Sequence, residues 1–217
     1  LEQMINQRWQ QKLRDELELE CFLEIEFESH FKRFVMPTIR GSEQGSKKRY
    51  AGLKATDKGD KLVFKGLESV RSDWTALARH FQTRLYEMVF ADKDVLAFIR
   101  QLIEQVKAGE LDEQLVYRKR LRKPLTSYVK NIPPHVRAAR LADEQNKALG
   151  KPLRYQHKGW IHYVITLNGP QPLEYQNAPL DYEHYIERQI RPVAEGILPF
   201  VGESFDTLVS QQMGLFG

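Results

Sequence analysis

The sequence predicts an α+β chain in which a sheet-bearing first third gives way, near Ser72, to a mainly helical remainder. Two patterns carry that expectation. Leu19, Cys21, Leu23, Ile25 and Phe27 alternate with Glu18, Glu20, Glu24, Glu26 and Glu28, broken only by Phe22, which is the period of a half-buried strand. Beyond Asp73, Trp74, Leu77, Ala78, Phe81, Leu85, Met88 and Val89 recur at the three- and four-residue spacing of one helix face.

Taken in order, Ile5, Trp9, Leu13 and Leu17 mark a first amphipathic helix. The alternating strand follows, then a second over 31–36 that Pro37 ends, a loop over 41–45, and a β-hairpin that turns at 56–60 around Gly59. These elements are expected to pack on one sheet. Ser72 or Asp73 is the expected cap of the long helix. Asp94 starts another carrying Phe98, Ile99, Leu102 and Val106, with Gly109 placed to end it. Residues 115–121 read equally as extended or helical. Pro133 and Pro134 open a helix that stops at Gly150. WIHYVITL, within 159–168, is a strand with a turn at Asn168 and Gly169. Asp181 begins a helix that Pro192 is expected to interrupt, and a last helix over about 203–212 precedes the tail.

At 217 residues the chain is long enough to bury a core as one large domain or two small ones. Charged residues make up 29% and mean hydropathy is −0.54. No apolar run approaches the roughly 20 residues that cross a bilayer, and the polar first sixteen positions hold no secretory signal. A single cysteine, Cys21, cannot form an intrachain disulfide, so the expected setting is reducing and cytoplasmic. The six histidines are scattered, without the spacing of a zinc site, and neither a glycine-rich phosphate loop nor a nucleophile elbow occurs. The chain begins with Leu1 and not Met, as an excised piece of a longer polypeptide would, although processing gives the same start.

Charge is unevenly placed. The net charge is only +4, yet from Arg118 to Arg140 there are eight Lys or Arg and no acid, while seven acids fall between Asp15 and Glu28. Lys47, Lys48, Arg49 and Tyr50 form a second basic cluster where the hairpin begins. Cations beside a flat ring suit phosphate and a sugar or base edge, although a run of Lys and Arg is also what a solvated face looks like.

KKRYAGL, a short turn and VFKGLESVRSDW, joined by PPHVRAARLADE at 133–144, DYEHYIERQ at 181–189 and QMGLF at 212–216, resemble the B-family DNA polymerases, and their bacterial members in particular. The similarity covers nearly the whole chain. It implies the end of an antiparallel-sheet palm at 1–72, a mainly helical thumb at 73–209 and a tail at 210–217.

The resemblance places the KKRY hairpin against the minor groove of newly made duplex and carries that role to Lys48, Arg49 and Tyr50, with Lys47 beside them as a further DNA-binding candidate; acceptors are present there at every base pair whatever the sequence. Lys65 and Arg71 extend the same phosphate track, with a local Glu68–Arg71 ion pair as the competing view. In the thumb, Tyr117, Arg118, Arg120, Arg122 and Lys123, with His135, Arg137 and Arg140 near the helix start at Pro134, grip duplex backbone by counterion release. Helix amides there also favour phosphate. Gln212, Met213, Leu215 and Phe216 resemble the short peptide by which bacterial polymerases bind the sliding clamp, with Met in place of Leu at 213. The intact family enzyme uses magnesium held by carboxylates of a DTD motif. That motif is absent from these residues and expected upstream, so no catalytic residue is assigned here. Glu28, sharing a strand face with Glu24 and Glu26, is the one candidate accessory acid, and the wet side of a strand is its alternative.

The expected function is thus to hold primer and template for a template-directed polymerase and to tether the clamp, with no activity from this chain alone. Two other readings stand beside it: a free-standing duplex- or clamp-binding module, and a small metal-dependent nuclease built on the Glu-rich strand.

Overall fold

The computed structural model describes residues 1–39, 42–45, 48–68 and 74–213. Helix α1 spans Glu2–Leu17. Strands β1 (Phe31–Val35), β2 (Thr38–Ile39), β3 (Ser42–Gly45), β4 (Tyr50–Thr56) and β5 (Gly59–Lys65) follow. Helices α2 (Ala76–Phe90) and α3 (Val95–Lys107) lead to strand β6 (Tyr117–Leu121), helix α4 (Pro134–Ala148) and strands β7 (Gly159–Thr166) and β8 (Gly169–Pro172). Short helices α5 (Tyr182–Tyr185) and α6 (Arg191–Ala194) flank a π-helical turn at Ile186–Ile190, and α7 is Phe205–Met213.

The α+β class is as expected, but the strands of the first third do not share one sheet. They fall into an antiparallel β1-β4-β5 sheet and a separate β2-β3 pair, and an antiparallel β6-β7-β8 sheet lies within the helical part. The expected loop at 41–45 is in part the paired strand β3. The ambiguous 115–121 stretch contains β6, whose ladder is completed by β7 from Tyr117↔Tyr163 to Leu121↔Gly159.

The expected strand through Leu19–Phe27 does not form. Alternation says which side chains could share a buried face, but a strand also needs a neighbour to accept its ladder bonds. Residues 18–30 instead run beside α1: Asn6 exchanges hydrogen bonds with the backbone of Ile25, both at 2.9 Å, and the Phe27 amide donates to Glu2 at 2.8 Å. No residue of α1 is buried, and Leu19, Phe22, Leu23 and Phe27 are exposed. The shared face expected for Glu24, Glu26 and Glu28 is therefore not built.

Side-chain caps mark the starts of α2 and α3. Asp94 Oδ1 accepts from the amides of Leu96 (2.9 Å) and Ala97 (3.2 Å), as its position before α3 predicts. For α2 the cap is Thr75, two or three residues later than expected; its hydroxyl accepts from the Ala78 amide at 3.2 Å and donates to Gln189 at 3.0 Å. The chain stays helical through Pro192, but the α pattern gives way to a π-helical turn at Ile186–Ile190 immediately before it, and Pro192 falls in the first turn of α6.

A buried cluster joins the first sheet to the helices: Ala51 and Leu67 share it with Leu77, Phe81, Ile99 and Ile103. Phe64 of β5 meets Tyr86 of α2 edge-on at 5.5 Å. Thr38 donates to the Glu195 carbonyl at 3.2 Å, tying the β2 region to the turn after α6. Ile103→Ala, at a fully buried position, should cost roughly 2–5 kcal/mol in urea denaturation. Met4→Ala on the exposed side of α1 should stay within about 0.5 kcal/mol.

Candidate nucleic-acid interface

The hairpin cluster is shaped by two glycines. A Cβ at Gly52 would overlap the Phe31 ring, so glycine there leaves room for that ring over β4. Gly66 sits at φ +67° with the Lys48 carbonyl where its Cβ would be. That close approach brings residues 65–68 against 48–49. Arg49 consequently forms an ion pair with Glu68, whose other oxygen accepts from Gln82 of α2 at 2.8 Å.

Glu68 is 5% exposed, whereas the Arg49 side chain is 34% exposed. Arg49 thus fastens the hairpin to α2. Tyr50 is half-buried, its ring 5.1 Å from Phe34 and 6.0 Å from Phe31, with Lys65 Nζ 5.8 Å above it. Lys48 and Lys65 are exposed. Lys47 and Arg71 lie outside the described residues.

The second cluster is organised by β6. Tyr117 and Leu121 point into the core, leaving Arg118 and Arg120 on the opposite, exposed face. Tyr117 is therefore a core residue, stacked on Tyr163 at 5.2 Å and Tyr185 at 5.6 Å and bonded to His184 at 3.1 Å. Burial pushes its hydroxyl pKa well above the ordinary value.

Beyond the strand, the chain folds over a recess of about 580 Å³. Lys119, Arg120, Arg122, Lys123, Lys130 and His135 line it, and none of the lining residues is acidic. Tyr128 anchors the wall, its hydroxyl accepting from the amides of Arg122 (3.2 Å) and Lys123 (3.3 Å). Burial, and then Lys119 nearby, lower the His135 pKa below its ordinary 6.5. A carboxylate-free recess lined by five cations repels further positive charge and attracts an anion.

Of the residues expected from sequence, Arg120, Arg122, Lys123 and His135 meet in the recess. Arg118 instead lies over Trp160, 4.1 Å from the ring centroid. Arg137 is exposed on α4. Arg140 donates to the carbonyls of Tyr128 (2.7 Å) and Leu125 (3.2 Å), holding the wall in place. Lys119, Lys130 and Tyr128 were missed as site residues. The two lysines were visible in the basic run, but only the fold shows where they converge.

At the far end, the backbone of Gln212 and Met213 is helical, completing α7; Leu215 and Phe216 lie outside the described residues. Glu28 is exposed, and among the described residues no three His, Cys, Asp or Glu side chains gather where they could hold a metal ion. These residues do not fit the magnesium site that the resemblance implies for the intact enzyme, and no step is assigned to a metal here. Also among the described residues, no helix is long and apolar enough to cross a membrane.

The recess thus gathers positive charge without acid on an α+β scaffold. The chain belongs to DNA polymerase family B, whose family model matches residues 7–199. It is 56% identical over 216 residues to DNA polymerase II of Escherichia coli K12, covering 100% of this chain and 28% of that protein. It is 32% identical over 169 residues to DNA polymerase 2 of Aeropyrum pernix, covering 72% of this chain and 20% of that one. The family B DNA polymerase structure from Pyrobaculum calidifontis shares the fold, with a TM-score of 0.56 at 24% identity over 87% of this chain and 23% of that one. The chain thus spans roughly a quarter of the length of these relatives.

Removing Arg49 should strand a buried carboxylate. Arg49→Met is expected to lower stability by roughly 1–3 kcal/mol, and adding Glu68→Gln should recover much of the loss. A thermal-denaturation double-mutant cycle checks this; additive effects would show that the pair does not couple hairpin and helix.

Proposed function

We propose that this chain is the palm-end and thumb portion of a template-directed DNA polymerase and that it holds the primer–template duplex. The observation that carries the reading is the recess around Lys119, Arg120, Arg122, Lys123 and Lys130, which holds no acid. Membership in the family supplies the chemical context. A thumb must hold a duplex of any sequence yet let it slide. Exposed cations achieve that through counterion release, because phosphate contacts carry no base identity.

The hairpin adds Lys47, Lys48, Tyr50 and Lys65, with Arg71 beyond it. Arg49 acts here chiefly by fastening that hairpin to α2, and Arg140 by holding the recess wall. Nucleotidyl transfer with magnesium belongs to the intact enzyme, whose aspartate motif is absent from these residues. Gln212, Met213, Leu215 and Phe216 are proposed to dock on a sliding clamp, with the apolar side chains entering a pocket and Gln bonding at its rim. A bacterial cytoplasmic enzyme acting at the nucleoid fits this assignment.

Duplex binding should weaken linearly with log salt and depend little on sequence. Replacing Arg120, Arg122, Lys123 and Lys130 by Gln together should lower the salt slope by up to ~0.9 for each phosphate that is no longer neutralised. An unchanged slope in fluorescence anisotropy would remove the recess from the binding surface. Because the His135 pKa lies below its ordinary value, protonation adds a cation to the recess only in mild acid. Affinity should rise as pH falls through that range, and His135→Ala should flatten the rise.

Deleting residues 212–217 should abolish clamp association in a pull-down while leaving the thermal midpoint nearly unchanged, since Leu208 is the last fully buried side chain described. Sustained primer extension by this chain alone would overturn the assignment of the chemistry to residues outside it.

A further inference from the structure

The outer face of the β6–β7 ribbon carries a surface that a duplex grip does not explain. Antiparallel register sets Arg118 opposite His162 and Arg120 opposite Trp160. All four are exposed, because Tyr117 and Leu121 on one strand and Ile161 and Tyr163 on the other take the buried face. Trp160 is 43% exposed despite its size. The Arg118 guanidinium lies over its ring, 4.1 Å from the centroid. Among the described residues, no ion pair engages Arg118 or Arg120.

We propose that this face is a stacking platform for an unpaired nucleotide of a single-stranded nucleic acid. A guanidinium held over the indole extends that stack with its own outer face, on which a base can lie without regard to its identity. Arg120, opposite Trp160 in the ladder, and His162, two residues along the same strand, share this face and place donors for the phosphates next to a stacked base. The guanidinium costs little to order on binding, since the indole already holds it. Inside a duplex the base faces are covered by their neighbours, so a duplex meets this surface only with its backbone or at an end. An unpaired strand entering or leaving that duplex offers what the surface is built to take. Such a platform presupposes that the chain meets nucleic acid, as proposed above, but it uses a different ligand form, so the two can fail separately.

Anisotropy titrations of the full 217-residue chain against a labelled single strand, and against a blunt duplex of the same sequence, provide the test. Trp160→Ala is expected to weaken single-strand binding by about tenfold or more while leaving the blunt duplex within about twofold. Trp160→Phe should retain most of the single-strand affinity and serve as the folded control, and Arg118→Lys, which keeps the charge but loses the planar stack, should fall between them. Unchanged single-strand binding in Trp160→Ala would overturn the platform, as would equal losses on both ligands. Duplex binding without any single-strand binding by the unmodified chain would also overturn it, leaving the grip intact. Single-strand binding without duplex binding would retire the grip and leave the platform.

Discussion

A carboxylate taken out of water must be met by donors, and Glu68 is met from both the hairpin and the long helix. Arg49, at the entrance to the hairpin, supplies a guanidinium, and Gln82, on the long helix, supplies an amide. With Glu68 only 5% exposed, losing Arg49 strands a charge in a poorly solvating interior, and losing Gln82 leaves one carboxylate oxygen without this donor. The hairpin's position on the helices is therefore set by electrostatics as well as by the apolar packing of Ala51, Leu67 and Phe64. Gly66 makes the arrangement possible, since any side chain there would collide with the Lys48 carbonyl. A motif that reads as a row of cations for phosphate is thus divided by the fold: one member is turned inward as a fastener, and Lys48 and Lys65 stay outside.

The same sorting operates on the second basic run. Strand pairing gives β6 two faces, and the eight cations between Arg118 and Arg140 end in different surroundings. Some converge on the recess, Arg118 lies on an indole, and Arg140 binds carbonyls. Tyr128 and Arg140 work together, one through its hydroxyl and carbonyl and the other through its guanidinium, to keep the recess open. The last helix is fastened in a comparable way. Arg191 reaches Glu187, Glu195 and Asp206 and lies over the Phe205 ring, so the segment bearing Gln212 and Met213 leaves from an anchored base.

The opposite situation holds at the beginning of the chain. Helix α1 and residues 18–30 touch one another through Asn6 and Glu2, yet Leu1, Met4, Trp9, Phe22 and Phe27 remain exposed. Helical spacing alone made α1 predictable, because helix bonds close within the segment. The neighbouring alternating run could not become a strand by pattern alone, because a strand's bonds must close elsewhere.

That contrast marks what the residues by themselves determined. Local rules sufficed for the helix starts at Asp94 and Pro134, the hairpin turn at Gly59, the strand around Trp160 and the α+β class, because caps, turns and periodicity act over a few positions. The motifs running from KKRYAGL to PPHVRAARLADE were likewise enough to point to the polymerase family. Only the tertiary structure decided that the strands form separate sheets, that Thr75 and not Asp73 caps α2, and that Arg49 and Arg140 hold the fold together. It also decided which cations share a recess. Each of these depends on a group brought from far along the chain, such as Gln189 to Thr75 or Glu68 to Arg49. Spacing along the sequence carries no record of a hydrogen bond whose donor and acceptor meet only after folding.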